Sequence, residues 1–390
     1  MLKLNIKNKS INLNRDKEDK ELPNSDTMKE KLIEKDSLLE KGALIEAEEE
    51  QKQLTKLDIL KKMSSGTELR NGVNDIVRGK MGGIIVFANS RVYGSFQGGF
   101  KVNCKFSAKR IVELAKMDGA IIISEDSKKI LYANTLLIPD SSLSSSETGI
   151  RHQAAERTAR QTGALVIAVS QRRGEITIFY GNYKYVLKPT EDLLRRATET
   201  LQILEKQREI FNEILTNLNI LELTNLVSVG DVCKILQRIE MIKKMASIIN
   251  EYIIELGKDG VILRMRLREI IRGIERENEL IIKDYIQRSN RAKQFLENLN
   301  FEEILDLENI AFNLFKEPLD KEILPIGYRI LDRTSLTDEE INGLAKELGS
   351  LDSILNADDD VLINLLGVKG AGFKKEISNL KEQILIGKRV

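Results

Sequence analysis

The sequence has little cysteine, a single histidine, no long apolar run and almost no net charge. Its two cysteines, Cys104 and Cys233, stand far apart and give neither a metal-ligand spacing nor a disulfide framework. No apolar stretch reaches the ~20 residues of a membrane helix. Met1 is followed by scattered lysines and asparagines rather than the apolar core of a secretory signal. A cytoplasmic protein with no membrane partner is the resulting expectation. Basic and acidic residues number 61 and 60, so the whole chain carries no nucleic-acid signature, and any such binding must rest on a local patch.

What is present is enough apolar material for real cores, 42% of 390 residues, in a chain long enough for about two to four domains. Residues 1 to about 26 are polar and read as a flexible tail. A helical pattern runs from Asp26 to about Met63, and Ser65-Gly66-Thr67 reads as a helix restart. Strands and helices then alternate. Gly82 to Ala88 is a short apolar run. Ser107 caps a helix that is expected to end at Asp118-Gly119. Ala120 to Ile123, Ile130 to Leu137 and Leu165 to Val169 read as strands, and Ile176 to Tyr180 pairs with Tyr183 to Leu187 through Gly181-Asn182. This order predicts an α/β domain with a mixed sheet, closing near Lys188-Pro189-Thr190.

After Pro189 the pattern is helical. Leu194, Ala197, Leu201, Leu204, Phe211, Leu215 and Leu218 form a seam that Arg208 interrupts. A second helix ends at Gly257, and a third is expected from about Ile262 to Tyr285. The last ninety residues hold short helices and end in two helices joined at Gly367-Val368-Lys369-Gly370. Such a hairpin presents backbone amides to a phosphate, and Lys369, Lys374, Lys375 and Lys381 add charge.

Two stretches carry chemistry. Thr148 to Gly163 runs from a serine-rich loop into a helix that starts with Arg151 and His152. A helix start offers unpaired N–H groups, and a guanidinium and an imidazole there make a phosphate cradle. Asp118-Gly119-Ala120 places a carboxylate beside two small residues at a helix-to-strand junction, where a ligand can come close to the backbone. Together they predict a nucleotide site.

Asp118-Gly119-Ala120, Ile130 to Thr135, and Ser144 to Gly149 followed by Arg151-His152 resemble the diadenylate cyclase domain. With the helical spacer and the terminal helix-hairpin-helix, the chain from about Leu54 onward resembles the DNA-integrity-scanning diadenylate cyclases. The resemblance implies an N-terminal extension over 1–53, a mixed-sheet cyclase domain over 54–190, a helical spacer over 191–300 and a helix-hairpin-helix DNA-binding domain over 301–390. It implies condensation of two ATP molecules into cyclic di-AMP with release of two pyrophosphates, with Mg2+ or Mn2+ as cofactor. Asp118 would bind the metal. Gly119 and Ala120 would admit the nucleotide, Leu137 would lie against adenine, and Arg151 and His152 would hold the triphosphate. Ile150, Gln153, Ala154, Ser170 and Arg172 would complete the ATP site. Gly367, Lys369, Gly370, Lys374 and Lys375 would meet DNA, branched DNA being the implied regulator, in a homo-oligomer, an octamer.

The chain departs from the family pattern in two places. Gln153 and Ala154 stand where a second basic residue and a threonine are usual, and the hairpin glycines lie one residue further apart. Losing one charge-assisted contact would weaken phosphate binding by roughly 1.5–3 kcal/mol. A nucleotide-binding, DNA-binding scaffold with weak or lost cyclase activity is the competing expectation.

Overall fold

The computed structural model describes residues 54–387. The expected tail, and the helix from Asp26 as far as residue 53, lie outside the described residues. Among the described residues the chain begins with α1 (Lys56–Lys62) and α2 (Glu68–Arg78), the second capped by the Thr67 hydroxyl, which accepts from the Arg70 N–H.

Eight strands form one mixed sheet: β1 (Gly83–Phe87), β2 (Phe96–Gln97), β3 (Phe100–Lys105), β4 (Ala120–Ile123), β5 (Lys129–Leu137), β6 (Leu165–Val169), β7 (Ile176–Tyr180) and β8 (Tyr183–Leu187). Their order is β2-β5-β4-β1-β6-β7-β8, with β3 paired to β5. The wholly apolar β1 is buried at every residue, as a central strand covered on both faces must be. It runs parallel to β4, with Ile84 opposite Ala120, and antiparallel to β6, with Gly83 opposite Val169.

Two helices flank β4 and β5 in the chain: α3 (Ala108–Leu114), capped by Ser107, and α4 (Ile150–Thr162), closed by Gly163 in the left-handed region at φ 66°. Ala155 and Ala159 of α4 share a core with Ile84, Val86, Ala120, Ile122, Val166 and Ala168. The small side chains let the helix lie close to the strands. Because strand side chains alternate, Ile85, Ile121 and Ile167 face the other way. On that side α2 and α3 pack on each other and reach β6 and β5.

The sequence pattern missed β2 and β3, whose residues are mostly exposed and alternate weakly. It also carried α3 too far: the helix ends at Leu114, and Asp118 and Gly119 lie in the turn before β4.

The helical part opens with α5 (Thr190–Thr224) and α6 (Val229–Leu256), the latter starting at a Ser228–Asp231 capping box. On α5 the seam is buried at Ala197, Leu201, Leu204, Phe211 and Leu218, with Leu193 rather than Leu194 enclosed. Arg208 lies with its guanidinium 5.2 Å from the centre of the Phe211 ring. The single third helix expected over Ile262 to Tyr285 is two helices, α7 (Val261–Ile270) and α8 (Ile274–Tyr285), broken at Gly273, whose φ is +78°. Next come α9 (Ser289–Asn298), α10 (Phe301–Leu305) and α11 (Leu307–Leu314). One core spans Leu193 to Ala311, and a second gathers residues from Ile330 to Ile384 around Leu223 of α5.

The second core is built from α12 (Tyr328–Leu331), α13 (Asp338–Leu348), α14 (Leu351–Leu355), α15 (Asp359–Leu366) and α16 (Gly370–Leu385). Among the described residues no helix is long and apolar enough to cross a membrane.

Candidate nucleotide site

The register brings one set of strand ends together. Gly83 pairs with Val169, Ile84 with Ala120, Ala120 with Thr135, and Ile176 with Val169 and Leu187. The start of β1, the start of β4, the ends of β5 and β6 and the start of β7 therefore share one edge. Onto that edge α4 directs Arg151. Its Nη2 donates to Asp118 Oδ1 at 3.3 Å, and its Nη1 reaches Gln171 Oε1 at 3.5 Å. The fold thus joins the two motifs that the sequence keeps 33 residues apart. The Asp118 side chain is 97% exposed and open to a ligand.

Gly82 makes this arrangement possible. A Cβ there would stand 2.5 Å from Arg151 Nη1, so a larger residue would make the guanidinium shift from where it crosses the start of β1. Gly119 has φ +94°, and a Cβ on it would meet the Thr135 carbonyl oxygen at 2.7 Å. The space it spares is taken by the β5 backbone rather than left for a ligand. Ala120 is likewise enclosed, and the Thr135 hydroxyl donates to its carbonyl at 2.9 Å. Leu137, expected to lie against adenine, is buried in the core beneath α4, while its exposed neighbours are Leu136 and Ile138. Asn134, at φ +54°, lies where the pairing of β5 with β4 shifts register between Ala120 and Ile122.

His152 is half-buried, its ring edge-on to Phe179 with centroids 6.5 Å apart. Burial pushes the imidazole pKa down against the charge of Glu147, which keeps it neutral near pH 7, one nitrogen a donor and the other an acceptor. Ile150 is exposed at the helix start, and no side chain caps that start at Gly149. The first-turn amides therefore remain available to an anion. Gln153 does not point its amide outward: Nε2 donates to the Glu147 carbonyl at 2.8 Å. Ala154 packs against the core. Ser170 sits at the turn after β6, where its hydroxyl accepts from the Arg173 N–H, and Arg172 is exposed in the same turn.

The serine-rich loop is held on α4 by a row of polar side chains that the sequence reading did not identify. Gln153, Glu156, Arg157 and Arg160 lie on one helical face at steps of three and four. Arg157 Nε donates to the Leu143 carbonyl at 2.8 Å and Arg160 Nη1 to the Ser144 carbonyl at 2.7 Å. Glu156 accepts from Ser145 Oγ at 2.5 Å, the Ser146 N–H at 3.0 Å and Arg160 at 2.7 Å. Burial opposes ionisation of Glu156, but these donors outweigh it and hold the carboxyl below its ordinary value of 4.5. The spacing of that polar row opposite Ala155 and Ala159 was the signal that could have revealed it.

Among the described residues no three His, Cys, Asp or Glu side chains converge as a metal cage. A single exposed carboxylate such as Asp118 suits a hard divalent ion that takes the rest of its shell from substrate phosphates and water.

At the far end of the chain α15 and α16 are joined by a tight turn at Gly367–Lys369. A Cβ on Gly370 would fall 2.6 Å from the Leu362 carbonyl oxygen, so glycine permits the close helix crossing. Val368 is 98% exposed at the tip. Lys369 pairs with Glu340 at 2.8 Å and Lys374 with Asp359 at 2.8 Å, while Lys375 is exposed. Asp359, in the acidic run Asp358-Asp359-Asp360 just before the hairpin, is thus engaged by a lysine of the hairpin itself.

Residues 70–183 match the family described as DisA bacterial checkpoint controller nucleotide-binding, and residues 187–316 match the DisA bacterial checkpoint controller linker region. DNA integrity scanning protein DisA of Clostridioides difficile is 39% identical over 343 residues, covering 85% of this chain and 96% of that protein. The protein of the same name from Clostridium botulinum is 41% identical over 344 residues, 85% of this chain and 97% of that one. The corresponding protein of Clostridium kluyveri is 40% identical over 339 residues, 84% and 96% respectively. With a nucleotide-binding match laid over the sheet edge that holds Asp118 and Arg151, and a linker match laid over the long helices, this chain belongs to the DisA family.

Proposed function

We propose that this diadenylate cyclase joins two ATP molecules into cyclic di-AMP with release of two pyrophosphates, in an assembly that sets two copies of the sheet edge against each other. In each of two equivalent steps, the ribose 3′-oxygen of one ATP forms a bond to the α-phosphorus of the other. The bond from that phosphorus to the β-phosphate bridge breaks, and pyrophosphate leaves. Such phosphoryl chemistry is driven mainly by positioning and charge neutralisation. One copy of the site holds one nucleotide, so the attacking hydroxyl must come from a second chain. This is why a homo-oligomer is part of the proposal, the octamer being its specific form.

The observation that carries the reading is the Arg151–Asp118 pair at 3.3 Å across the start of β1. Exposed ion pairs of this kind contribute about 0–1 kcal/mol, so triphosphate oxygens can readily take Arg151 over. Arg151 then grips phosphate with two parallel N–H groups. His152 donates from a neutral ring at the same helix start, and the first-turn amides add further donors. Asp118, released from Arg151, orients the 3′-hydroxyl and accepts its proton. Mg2+ or Mn2+, held by Asp118 and the phosphates, would supply charge neutralisation and polarise that hydroxyl. Ser170 and Arg172 close the site from the turn after β6.

The second reading is a nucleotide-binding scaffold with weak or lost turnover, and Gln153 is what favours it. Its uncharged amide is spent on the Glu147 carbonyl rather than offered to phosphate. Incubation with ATP and Mn2+ separates the two: cyclic di-AMP and pyrophosphate in a one-to-two ratio support the cyclase, and tight ATP binding without product supports the scaffold. The hairpin at Gly367 to Gly370, with Lys369, Lys374 and Lys375, is proposed as the surface through which branched DNA regulates that output. Its tight turn and lysines match the demands of phosphate contact.

A further inference from the structure

We propose that a cavity in the helical part, remote in the chain from the sheet edge, binds a small phosphate-bearing anion. The cavity, about 290 Å³, is walled by Arg208, Asn212 and Thr216 of α5, Arg276 and Glu277 of α8, and Arg333 just beyond α12. Three guanidiniums and one carboxylate line it beside Phe211 and Leu215, and the excess of basic groups favours an anion over a cationic guest.

Arg333 is the strongest sign. Its side chain is 11% exposed, and the Glu277 carboxylate of α8 stands 3.7 Å from Nη2. Nη1 is buried with no hydrogen-bond partner. Glu277 is also shared with Arg329, 4.0 Å away, so it does not fully compensate Arg333. Burial lowers the Arg333 pKa, the direction expected of a guanidinium that lacks a sufficient counter-charge. Arg276 directs Nη2 to Asp332 and Asp338, and Arg208 spreads over Phe211. A buried donor left unmade is destabilising, and a tetrahedral oxyanion reached by planar guanidinium forks removes that penalty. The volume lies at the small end of ligand sites and suits phosphate rather than a nucleotide.

The location gives the site a consequence. Helices α5 and α8 both contribute apolar residues to the first helical core, whereas Arg333 follows α12, which belongs to the second. An anion bound between them ties the two cores together.

The test uses the full-length chain carrying Arg151→Ala and His152→Ala, which removes the nucleotide cradle as a competing phosphate site. Calorimetric titration with inorganic phosphate, at ionic strength held constant with chloride, is expected to retain one site with Kd at or below about 1 mM. Adding Arg333→Met should weaken that site at least tenfold. Because Arg333 is nearly enclosed, Asn212→Glu is tested beside it: it sets a negative charge at the cavity wall, and circular dichroism checks that the fold is intact. The same tenfold loss is expected. No phosphate site in the doubly substituted chain, or binding unchanged by both cavity substitutions, overturns the proposal without touching the cyclase reading.

Discussion

Asp118 is a residue whose surroundings do nothing structural with its carboxylate beyond one exposed ion pair. Asp118→Asn should therefore leave the stability of the fold within about 0.5 kcal/mol while abolishing cyclic di-AMP synthesis; product formation at the original rate would remove it from the chemistry. Gln153 poses the opposite question. Gln153→Arg restores a charge beside the triphosphate position and can still reach the Glu147 carbonyl, so ATP affinity or turnover should rise, by about tenfold for 1.4 kcal/mol of added contact. Unchanged kinetics would mean that this position does not reach phosphate. Asp118, Arg151 and His152 were legible because their chemistry shows in the residue type and in their place at element ends. Gly82 was not. A glycine before a strand is common, and only the guanidinium lying 2.5 Å from where its Cβ would be shows what its small size spares.

For the elements, α4 and its loop form one unit, and Glu156 is the group that joins them. Its carboxyl is held below 4.5 in the fold by Ser145, Ser146 and Arg160. A depressed acid contributes stability that is fully present above the unfolded value and is lost as pH falls through the folded one. Glu156→Gln should accordingly destabilise the protein by about 1–3 kcal/mol near neutral pH. That deficit should shrink as pH drops below about 4.5, where the wild-type carboxylate also protonates. Urea melts from pH 7 to pH 3 check this, and a pH-independent difference would show that packing rather than charge is what the substitution removes. Strands β6, β7 and β8 and the start of α5 were readable in the chain because apolar runs and a turn dipeptide mark them. The break at Gly273 was not, since the apolar period continues across it and only the left-handed backbone at Gly273 reveals it.

At the scale of the molecule, the two helical cores meet at Arg329. This side chain is fully buried, bonded through Nε and Nη2 to Glu222 and through Nη1 to Asn219 at 2.5 Å, both on α5. Asp284 of α8 accepts the backbone N–H groups of Gly327, Tyr328 and Arg329 at 2.6–2.9 Å. Arg329→Met leaves Glu222 charged and uncompensated, so about 3–5 kcal/mol of stability should be lost in a urea melt. A loss under about 1 kcal/mol would show that the joint is held by its apolar contacts alone. The joint also decides how the proposed DNA response is best probed. Residues Ile354 to Ile384 complete the second core, so point substitutions are cleaner than truncation. Lys369→Glu with Lys375→Glu should weaken branched-DNA binding at least tenfold and remove its effect on turnover, with DNA-free turnover unchanged; an unaltered DNA response would place the contact elsewhere.

The alternation of strands and helices, the mixed sheet, the long spacer helices and the two motifs proposed to meet ATP were all determined by the chain itself. Local periodicity, caps and turn dipeptides act over a few residues and can be read where they stand. Tertiary structure alone decided that Asp118 and Arg151 touch, that the gap at Gly119 belongs to β5, that Leu137 faces inward, and that Glu156 and Arg329 are buried. Each depends on which distant backbone arrives beside the residue. Strand register and helix crossing set that, and no window of sequence contains it.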